Sequence, residues 1–502
     1  MRIKAIVAAI AVSVAGAAAG AQSQAVPDID LDYETFTLDN GLRVVVHEDR
    51  KTPIVAVSVW YHVGSKDEPD GKSGFAHLFE HLMFNGSENY DDEFFKPLEQ
   101  IGATGRNGTT WFDRTNYFET VPTPAVDLAL WLESDRMGHL LGALTQEKLD
   151  EQTGVVKNEK RQRYDNQPYG DMFERLVSGL MPAGHPYGHT AIGSIEDLSN
   201  ATLEDVKAWF KKYYGAANAV VVLAGDISAD EARPKMETFF GDIAPGPALS
   251  RWESWVPERE ENTREVVQDA NAPQTRIYRF WVSPGRTDKR TKWLQVATDI
   301  LGNGKNSRLY EDLVYDRQVA TSASSFLLEM ELMSVVGLVV DVKEGEDHRA
   351  VSARMDEIVE AFRDDGPDRD ELRRAVTKIN ASVGRGLEEV GGLGGKAATL
   401  AAGELYADDP GFIEQELAWI NEAGRDDIRE VADEWLDEGY HQITYLPYSG
   451  LAAAEAGADR SRLPDVAGLP ELTFPEVQTA ELSNGMKVVL AQRPGVPTMV
   501  LR

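Results

Sequence analysis

The first predicted elements of this chain are short strands of alternating or continuous apolar residues. Polar and apolar residues alternate over Thr35 to Leu38, a turn follows at Asp39-Asn40-Gly41, and a second β-rich run covers Leu42 to His47. Asn-Gly favours a tight hairpin because both residues tolerate a positive φ. Ile54 to His62 is predicted to form a further strand. Over Ser73 to Phe84 the spacing of apolar residues changes to that of a helix. The pattern predicts a sheet followed by a helix.

Similar patterns extend this region into an α+β domain over residues 30–244. Its further elements are predicted as helices over 91–101, 124–141, 146–164, 170–181, 202–214 and 229–240, and as strands over 105–112, 115–121 and 217–224. Proline, glycine and charged residues then indicate a linker over 245–264.

A second α/β region is predicted over residues 265–447. It contains strands near 276–283, 319–329, 333–342 and 442–446, and helices near 287–303, 348–365, 368–385, 388–405 and 425–437. Glycine, alanine and proline then predict a second linker over 448–475.

Residues 476–502 repeat the start of the first domain. Leu482 to Leu490 matches Leu38 to Val46, and Pro497 matches Pro53 at the same offset of 444 residues. A constant offset through a strand, a turn and the next strand indicates an internal repeat. Two unrelated Asn-Gly hairpins are the alternative. We therefore expect 476–502 to begin a further repeat of a longer polypeptide.

Composition limits the available chemistry. The 502 residues include no cysteine, so disulfides, thiolate metal sites and cysteine nucleophiles are excluded, and a zinc site must use histidine and carboxylate ligands. The formal net charge of −32 argues against nucleic acid as a partner, because phosphate binding needs a basic face. An acidic surface for solubility explains this charge, and it also favours basic peptides.

The first 21 residues resemble a secretory signal peptide. Arg2 and Lys4 precede an apolar run from Ala5 to Ala19, and small residues before Gln22 offer a cleavage site. An uncleaved N-terminal membrane anchor is the alternative reading. Cleavage predicts an exported protein, periplasmic or secreted in a bacterium, with no membrane span after the signal is removed.

His77-Leu78-Phe79-Glu80-His81 carries the candidate chemistry. Residues four apart on a helix lie on the same face, so His77 and His81 can reach one cation with Glu80 beside them. Zinc held in this way activates a water molecule, and a carboxylate can take the proton of that water. This H-x-x-E-H order is typical of a class of metallopeptidases.

A third ligand is expected on a neighbouring element. Leu149, Gln152, Val155, Val156 and Glu159 fall on one stripe of the helix predicted from residue 146. Glu159 would stand at the inner end of an apolar face, where a carboxylate needs a cation or hydrogen bonds. The stripe favours it over the acids Glu147 and Glu151, but a surface or salt-bridged glutamate fits the same pattern.

Three segments together resemble the pitrilysin/insulinase (M16-type, inverzincin) family of zinc metallopeptidases. The segments are Tyr61–Ser65, Gly74–Phe84 and Val155–Glu159. The resemblance implies one zinc ion per chain held by His77, His81 and Glu159, with Glu80 as general base in the hydrolysis of unfolded peptides or small proteins.

The resemblance also implies the architecture. It predicts an α+β fold of two homologous α/β sandwich domains, each a mostly antiparallel sheet covered by helices, in a LuxS/metallohydrolase-like clamshell half. Residues 30–244 would be the catalytic domain and 265–447 the non-catalytic one. The other half would come from the same polypeptide or from a homologous partner chain.

Less specific features of the family also have counterparts here. Asn107, Thr109 and Thr110 resemble the strand edge that pairs with the substrate backbone, although an ordinary hairpin explains them as well. Relatives carry a second glutamate seven residues before the ligand, where this chain has Gln152 beside Glu151, so a supporting role for either is open.

A second departure concerns the arginine and tyrosine that grip the substrate in relatives. Arg308 matches the arginine, but Thr321 stands where the tyrosine is expected. His185 is predicted to be a structural loop residue. Histidines without metal-type spacing are predicted not to be ligands, namely His47, His62, His139, His189, His348 and His441.

The alternatives to a peptidase are a non-enzymatic relative, a subunit that depends on a partner in a processing-peptidase-like complex, and a metal-binding protein without catalysis. The complete set of His77, Glu80, His81 and Glu159 favours the enzyme.

Overall fold

The computed structural model describes residues 29, 31–448 and 477–491. The predicted signal peptide, Pro497 and all of the second predicted linker except Tyr448 lie outside the described residues. Two compact units divide the chain after Tyr448 and are described separately. Within the described residues, every helix is too short or too polar to cross a membrane.

The first part of the larger unit is built on a six-stranded sheet. Its strands are β1 (Glu34–Thr37), β2 (Arg43–Glu48), β3 (Ile54–Tyr61), β4 (Thr104–Thr110), β5 (Thr115–Pro122) and β6 (Ala219–Gly225). The strand order is β1-β2-β6-β3-β5-β4, with β2 parallel to β6 and the other pairs antiparallel. Strand β4 therefore lies at an edge.

Helices cover one face of this sheet. They are α1 (Phe75–Leu82), α2 (Phe95–Gln100), α3 (Val126–Gly138), α4 (Gln146–Lys160), α6 (Ile195–Ser199), α7 (Leu203–Tyr213) and α8 (Ala229–Phe240). Helix α5 (Met172–Leu180) lies in the same part of the chain but packs elsewhere. Alternate residues of β3, Val57 and Val59, point to this face and pack in one cluster with Leu78 and Phe79 of α1. The helix that carries the H-x-x-E-H pattern is therefore anchored on the sheet.

A five-stranded sheet follows, in the order β7-β11-β8-β10-β9. Its strands are β7 (Thr263–Asp269), β8 (Arg276–Ser283), β9 (Ala320–Leu328), β10 (Ser334–Val342) and β11 (His441–Pro447). The helices in this part of the chain are α9 (Lys289–Gly302), α10 (His348–Asp365), α11 (Arg369–Gly386), α12 (Lys396–Ala407), α13 (Phe412–Glu422) and α14 (Arg425–Trp435). Strands β7 and β11 are parallel and the other pairs antiparallel.

The two sheets share one topology. Without β1, the first order is β2-β6-β3-β5-β4, which corresponds strand for strand to β7-β11-β8-β10-β9. Each sheet has its single parallel pair at the same place. The prediction of an α+β fold with mostly antiparallel sheets covered by helices is confirmed.

Each sheet also receives a helix from the other part of the chain. The back face of the first sheet, including Trp60 and Val222, packs on Ala398 and Leu400 of α12. In return, α5 packs on the second sheet, where Leu176 and Val177 cluster with strand residues such as Tyr278 and Ile443. We call this arrangement the helix exchange.

The smaller unit contains a hairpin of β12 (Val477–Glu481) and β13 (Lys487–Ala491). Its turn repeats the turn between β1 and β2. The Leu482 N–H donates to the Met486 carbonyl at 2.9 Å, as that of Leu38 does to Leu42 at 3.0 Å. Gly485 and Gly41 both have positive φ, 83° and 84°. The sequence repeat is thus also a repeat of local structure.

The structure corrects four details of the sequence reading. Strand β7 begins inside the predicted linker, and α13 was not predicted. The helix expected over 388–405 begins only at Lys396, because the glycine-rich segment before it disfavours helix. Val155 is 41% exposed, since the buried stripe of α4 runs through Leu149, Gln152 and Val156 and leaves Val155 at its edge.

Candidate metal centre

The N-terminus of α1 is fixed by a residue outside the motif. The buried carboxylate of Glu68 accepts hydrogen bonds from the backbone N–H groups of Gly74, at 2.9 Å, and Ala76, at 2.7 Å. Acidic groups at this end of a helix satisfy free N–H groups and the helix dipole. Gly74 has a φ of +88°, and a Cβ there would lie 2.6 Å from the Ile192 carbonyl oxygen. Glu68 therefore fixes the start of the helix that carries His77 and His81.

His77, His81 and Glu159 converge on one point. The Nε2 atoms of His77 and His81 lie 3.8 Å and 3.3 Å from Oε2 of Glu159. One ligand atom from each of the three residues lies within 4.8 Å of the others. Tetrahedral zinc with bonds of about 2.0 Å holds its ligand atoms roughly 3.3 Å apart. The donor set and its spacing fit a zinc ion.

The protonation of the two histidines differs without a metal. Burial lowers the pKa of His77 to about 4, and the neighbouring His81 acts in the same direction. Burial also acts to lower the pKa of His81, but the hydrogen bond with Glu159 and the negative charges of Glu80 and Glu159 together outweigh burial and raise that pKa. The surroundings thus shift the pKa values of the two histidines in opposite directions, and a cation competes with a proton more strongly at His81 than at His77.

Some of the polar atoms around His77, His81 and Glu159 have hydrogen-bond or ion-pair partners, and one buried atom has none within the described part of the chain. Gln152 is buried and hydrogen-bonds to His81, whereas Glu151 is exposed on the same helix. The other oxygen of Glu159, Oε1, forms an ion pair with Nη1 of Arg163 at 2.8 Å. Among the described residues, the Nδ1 atom of His77, which is itself buried, has no hydrogen-bond partner. Sequence reasoning missed Arg163, although its i,i+4 spacing from Glu159 is a signal for it.

Glu80 lies beside the three ligands and is 7% exposed. The Thr110 hydroxyl donates to its Oε2 atom at 2.6 Å. Burial raises the pKa of Glu80, and the bond from Thr110 opposes that rise. A carboxylate with a raised pKa and one oxygen held in place is suited to accept and return a proton.

The edge strand β4 borders a cavity of about 540 Å³ that includes the three ligands and Glu80. Of the predicted substrate-binding residues, Asn107 is exposed and all three line the cavity. The Thr109 hydroxyl donates to Oδ1 of Asn116 at 2.6 Å, and that of Thr110 bonds Glu80. The side chains of Thr109 and Thr110 thus have internal roles. The outer backbone edge of β4 is what this strand offers to a ligand, except at the Thr109 carbonyl, which accepts a hydrogen bond from Arg114.

The remaining candidate residues, Arg308, Thr321 and His185, make contacts that stabilise the fold. Arg308 makes a bidentate ion pair with Glu371, with both N–O distances 2.8 Å. Thr321 bonds Gln274 and the backbone. The Tyr187 N–H donates to Nδ1 of His185 at 3.0 Å, which agrees with a structural loop role for His185.

The turn between β9 and β10, residues 329–333, joins the second sheet to the candidate site. The Glu331 N–H donates to Oδ2 of Asp113 at 2.9 Å, in the turn between β4 and β5. The Glu331 carboxylate pairs with Lys66 and with His62, the latter at 2.8 Å. The Leu332 N–H donates to the Tyr187 hydroxyl at 2.9 Å. This turn thus holds the end of the edge strand.

Comparisons with known proteins agree with this architecture. Residues 43–191 match the family described as Insulinase (Peptidase family M16), and residues 200–379 match the Peptidase M16 inactive domain. The zinc protease PqqE of Helicobacter pylori is 33% identical over 310 residues, which cover 60% of this chain and 68% of that protein.

Solved structures show the same fold. A protease from Helicobacter pylori superposes with a TM-score of 0.76 at 26% identity, over 83% of this chain and 99% of that chain. The periplasmic protease PqqL from Escherichia coli superposes with a TM-score of 0.69 at 16% identity, over 93% of this chain and 56% of that chain. The chain belongs to peptidase family M16.

Proposed function

We propose that this chain is a zinc metalloendopeptidase that hydrolyses peptide bonds in unfolded peptides or small proteins. The convergence of His77, His81 and Glu159 beside buried Glu80 is the observation that carries the proposal. Family membership and the relatives named zinc proteases support it. One zinc ion per chain would be held by the two Nε2 atoms and one oxygen of Glu159.

When bound, zinc supplies Lewis acidity, which polarises the peptide carbonyl and acidifies water. Glu80 takes the proton of the attacking water, and its raised pKa suits it to pass that proton to the leaving amine. Thr110 holds one oxygen of Glu80, so the other is directed to this exchange. Arg163 orients Glu159, and Gln152 orients His81.

An extended substrate would add a strand to the sheet at β4. The strand is paired with β5 on one side only, and its residues 107–110 line the same cavity as the metal ligands. Backbone pairing at an edge accepts many sequences, because the hydrogen bonds come from the main chain. This agrees with a peptidase for unfolded segments.

We also propose that the protein is exported and acts in the periplasm or outside the cell. The basic start and apolar run of the first 21 residues support this. Determination of the mature N-terminus tests it: a start at Gln22 is expected, and retention of residues 1–21 would contradict cleavage. A second half, in the same polypeptide or in a partner chain, is proposed on the hairpin repeat at 477–491.

The decisive experiment compares Glu80→Gln with the unchanged chain. The variant keeps the size of the side chain but cannot accept a proton, so we expect zinc content to persist while turnover falls roughly 10²- to 10⁴-fold. Cleavage of an unfolded peptide, with metal content measured in parallel, provides the readout. Chelator should abolish wild-type activity and zinc should restore it. Full activity in Glu80→Gln would exclude this mechanism.

A further inference from the structure

A second cavity lies behind the edge strand, between the first sheet and helices α12 and α13. Its volume is about 330 Å³, within the range of small-ligand pockets. Aromatic side chains form much of its wall, including Trp60, Trp111 and Tyr406. Two guanidinium groups, those of Arg114 and Arg286, also line it. Because Trp111 lines both this cavity and the cavity of the candidate metal centre, the two are neighbours.

The carboxylates around this cavity already have cationic partners. Both oxygens of Glu329 lie 2.8 Å from the Lys292 ammonium, and Glu416 pairs with the same Lys292 at 2.8 Å. Asp113 pairs with Lys66 at 3.2 Å and accepts two further hydrogen bonds. Lysines therefore make the direct ion pairs with these acids, although Lys292 is shared by two carboxylates.

The two arginines are in a different position. In the described part of the chain, the guanidinium of Arg114 has Thr109 and Asn116 as hydrogen-bond partners and no carboxylate, and that of Arg286 stacks on Tyr406 without an ion pair. One nitrogen of Arg114, Nη1, donates to the Thr109 carbonyl at 2.8 Å. The guanidinium of Arg286 lies 4.3 Å from the ring centre of Tyr406. Each thus keeps donor groups available to a ligand.

We propose that this cavity binds the free C-terminal carboxylate of a peptide, with Arg114 and Arg286 as its partners and the terminal side chain among the aromatic rings. Guanidinium groups match a carboxylate through paired N–H donors, and a partly desolvated site strengthens such bonds. The proposal deepens the proposed function and rests on it. Because Trp111 separates the two cavities, the enzyme would favour bonds near the C-terminus of a peptide.

The test uses one peptide that ends in phenylalanine, as a free acid and as a C-terminal amide. We expect the zinc-loaded wild type to show a KM about tenfold lower for the acid, the effect of one charge-assisted contact. Arg286→Gln should lose this preference, and Arg286→Lys should keep part of it. Arg290→Gln is the matched control, because Arg290 pairs with Asp288 and Glu434 instead. It should keep the full preference.

Equal hydrolysis of acid and amide by the wild type would overturn the inference and leave the peptidase function intact. If neither peptide is cleaved, the proposed function fails. Ligand binding to the zinc-free protein then tests separately whether the cavity binds a C-terminal carboxylate. N-acetylphenylalanine should raise the melting temperature of the wild type, but not of Arg286→Gln, and its amide should not. Absence of this shift, or an equal shift with acetate, would overturn the proposal, since acetate lacks the peptide portion.

Discussion

Glu159 divides its two carboxylate oxygens between different partners. Oε2 faces the histidines, and Oε1 pairs with the exposed guanidinium of Arg163. This arrangement leaves one oxygen for a metal and fixes the rotation of the carboxylate with the other. Its hydrogen bond with His81 lowers the pKa of Glu159 despite partial burial, so the group is ionised at neutral pH. A single oxygen ligand of defined direction suits a tetrahedral site.

Replacing Glu159 should therefore remove the metal. We expect Glu159→Ala to lose most bound zinc after dialysis, because two histidines alone do not complete the site. Atomic absorption on purified protein measures this. Glu151→Ala is the matched control on the same helix, since Glu151 is exposed, and it should retain zinc. Equal zinc content in the two variants would refute the ligand role.

Thr110 should control the acid limb of the pH–rate profile. Its hydroxyl lowers the pKa of Glu80 against the effect of burial, so Thr110→Val should raise that pKa. A general base must be deprotonated, and the acid limb of kcat/KM should therefore move to higher pH. Thr109→Val serves as control, because the Thr109 hydroxyl bonds Asn116 instead. A shift of the same size in both variants would contradict this role.

At the scale of elements, the turn between β9 and β10 connects the second sheet to the segments that flank the candidate site. It brings Glu331 from the second sheet to Lys66 and His62 of the first, and its backbone to Asp113. Burial acts to raise the pKa of Glu331, but the bonds from His62 and Lys66 prevail and lower it to about 2. A carboxylate in such a buried network stabilises the contact only while it is ionised.

The stability of this contact should depend on pH in a definite window. Because the folded pKa is about 2 and the ordinary value is 4.5, the contribution is complete above pH 4.5 and is lost as pH falls towards 2. The shift corresponds to on the order of 3 kcal/mol. Denaturant unfolding from pH 7 to 2 should show Glu331→Gln less stable at pH 7 and less sensitive to acid. Exposed Glu344→Gln should behave like the wild type.

The local sequence pattern predicted which helices and strands form better than it predicted where each begins and ends. The predicted helix over 348–365 coincides with α10, because its apolar period is regular and Asp347 caps its start. Strand β7 was missed because its burial is partial and its composition charged, so the pairing with β11 determines it. The motif located His77, Glu80 and His81. Glu68 acts across a short loop and Glu331 through contacts far along the chain, and periodicity encodes neither.

At the scale of the whole molecule, the topology is repeated within the described part of the chain but the candidate metal site is not. Both sheets have the same strand order, yet the described residues contain one cluster of potential metal ligands, that of His77, His81 and Glu159. The second domain supports the candidate site instead, because its turn at 329–333 holds the end of the edge strand. The family description of that region as inactive agrees with this division.

Metal binding should therefore stabilise the whole unit through a single site. A ligand bound only by the native state at 100 times its Kd adds about 2.7 kcal/mol, so zinc should raise the melting temperature and chelator should lower it. Scanning calorimetry with and without zinc measures the effect. His77→Ala should melt at the same temperature in both conditions, and a zinc response equal to that of the wild type would indicate another site.

The helix exchange has a consequence for how this protein can be divided. A fragment cut at the linker near residue 245 would expose Trp60 and Val222 to water, because α12 covers them. The remaining fragment would likewise lose α5 from Tyr278 and Ile443. Exposed apolar faces of this kind promote aggregation. The two sequence domains are therefore one folding unit, and neither is a building block that can be transplanted alone.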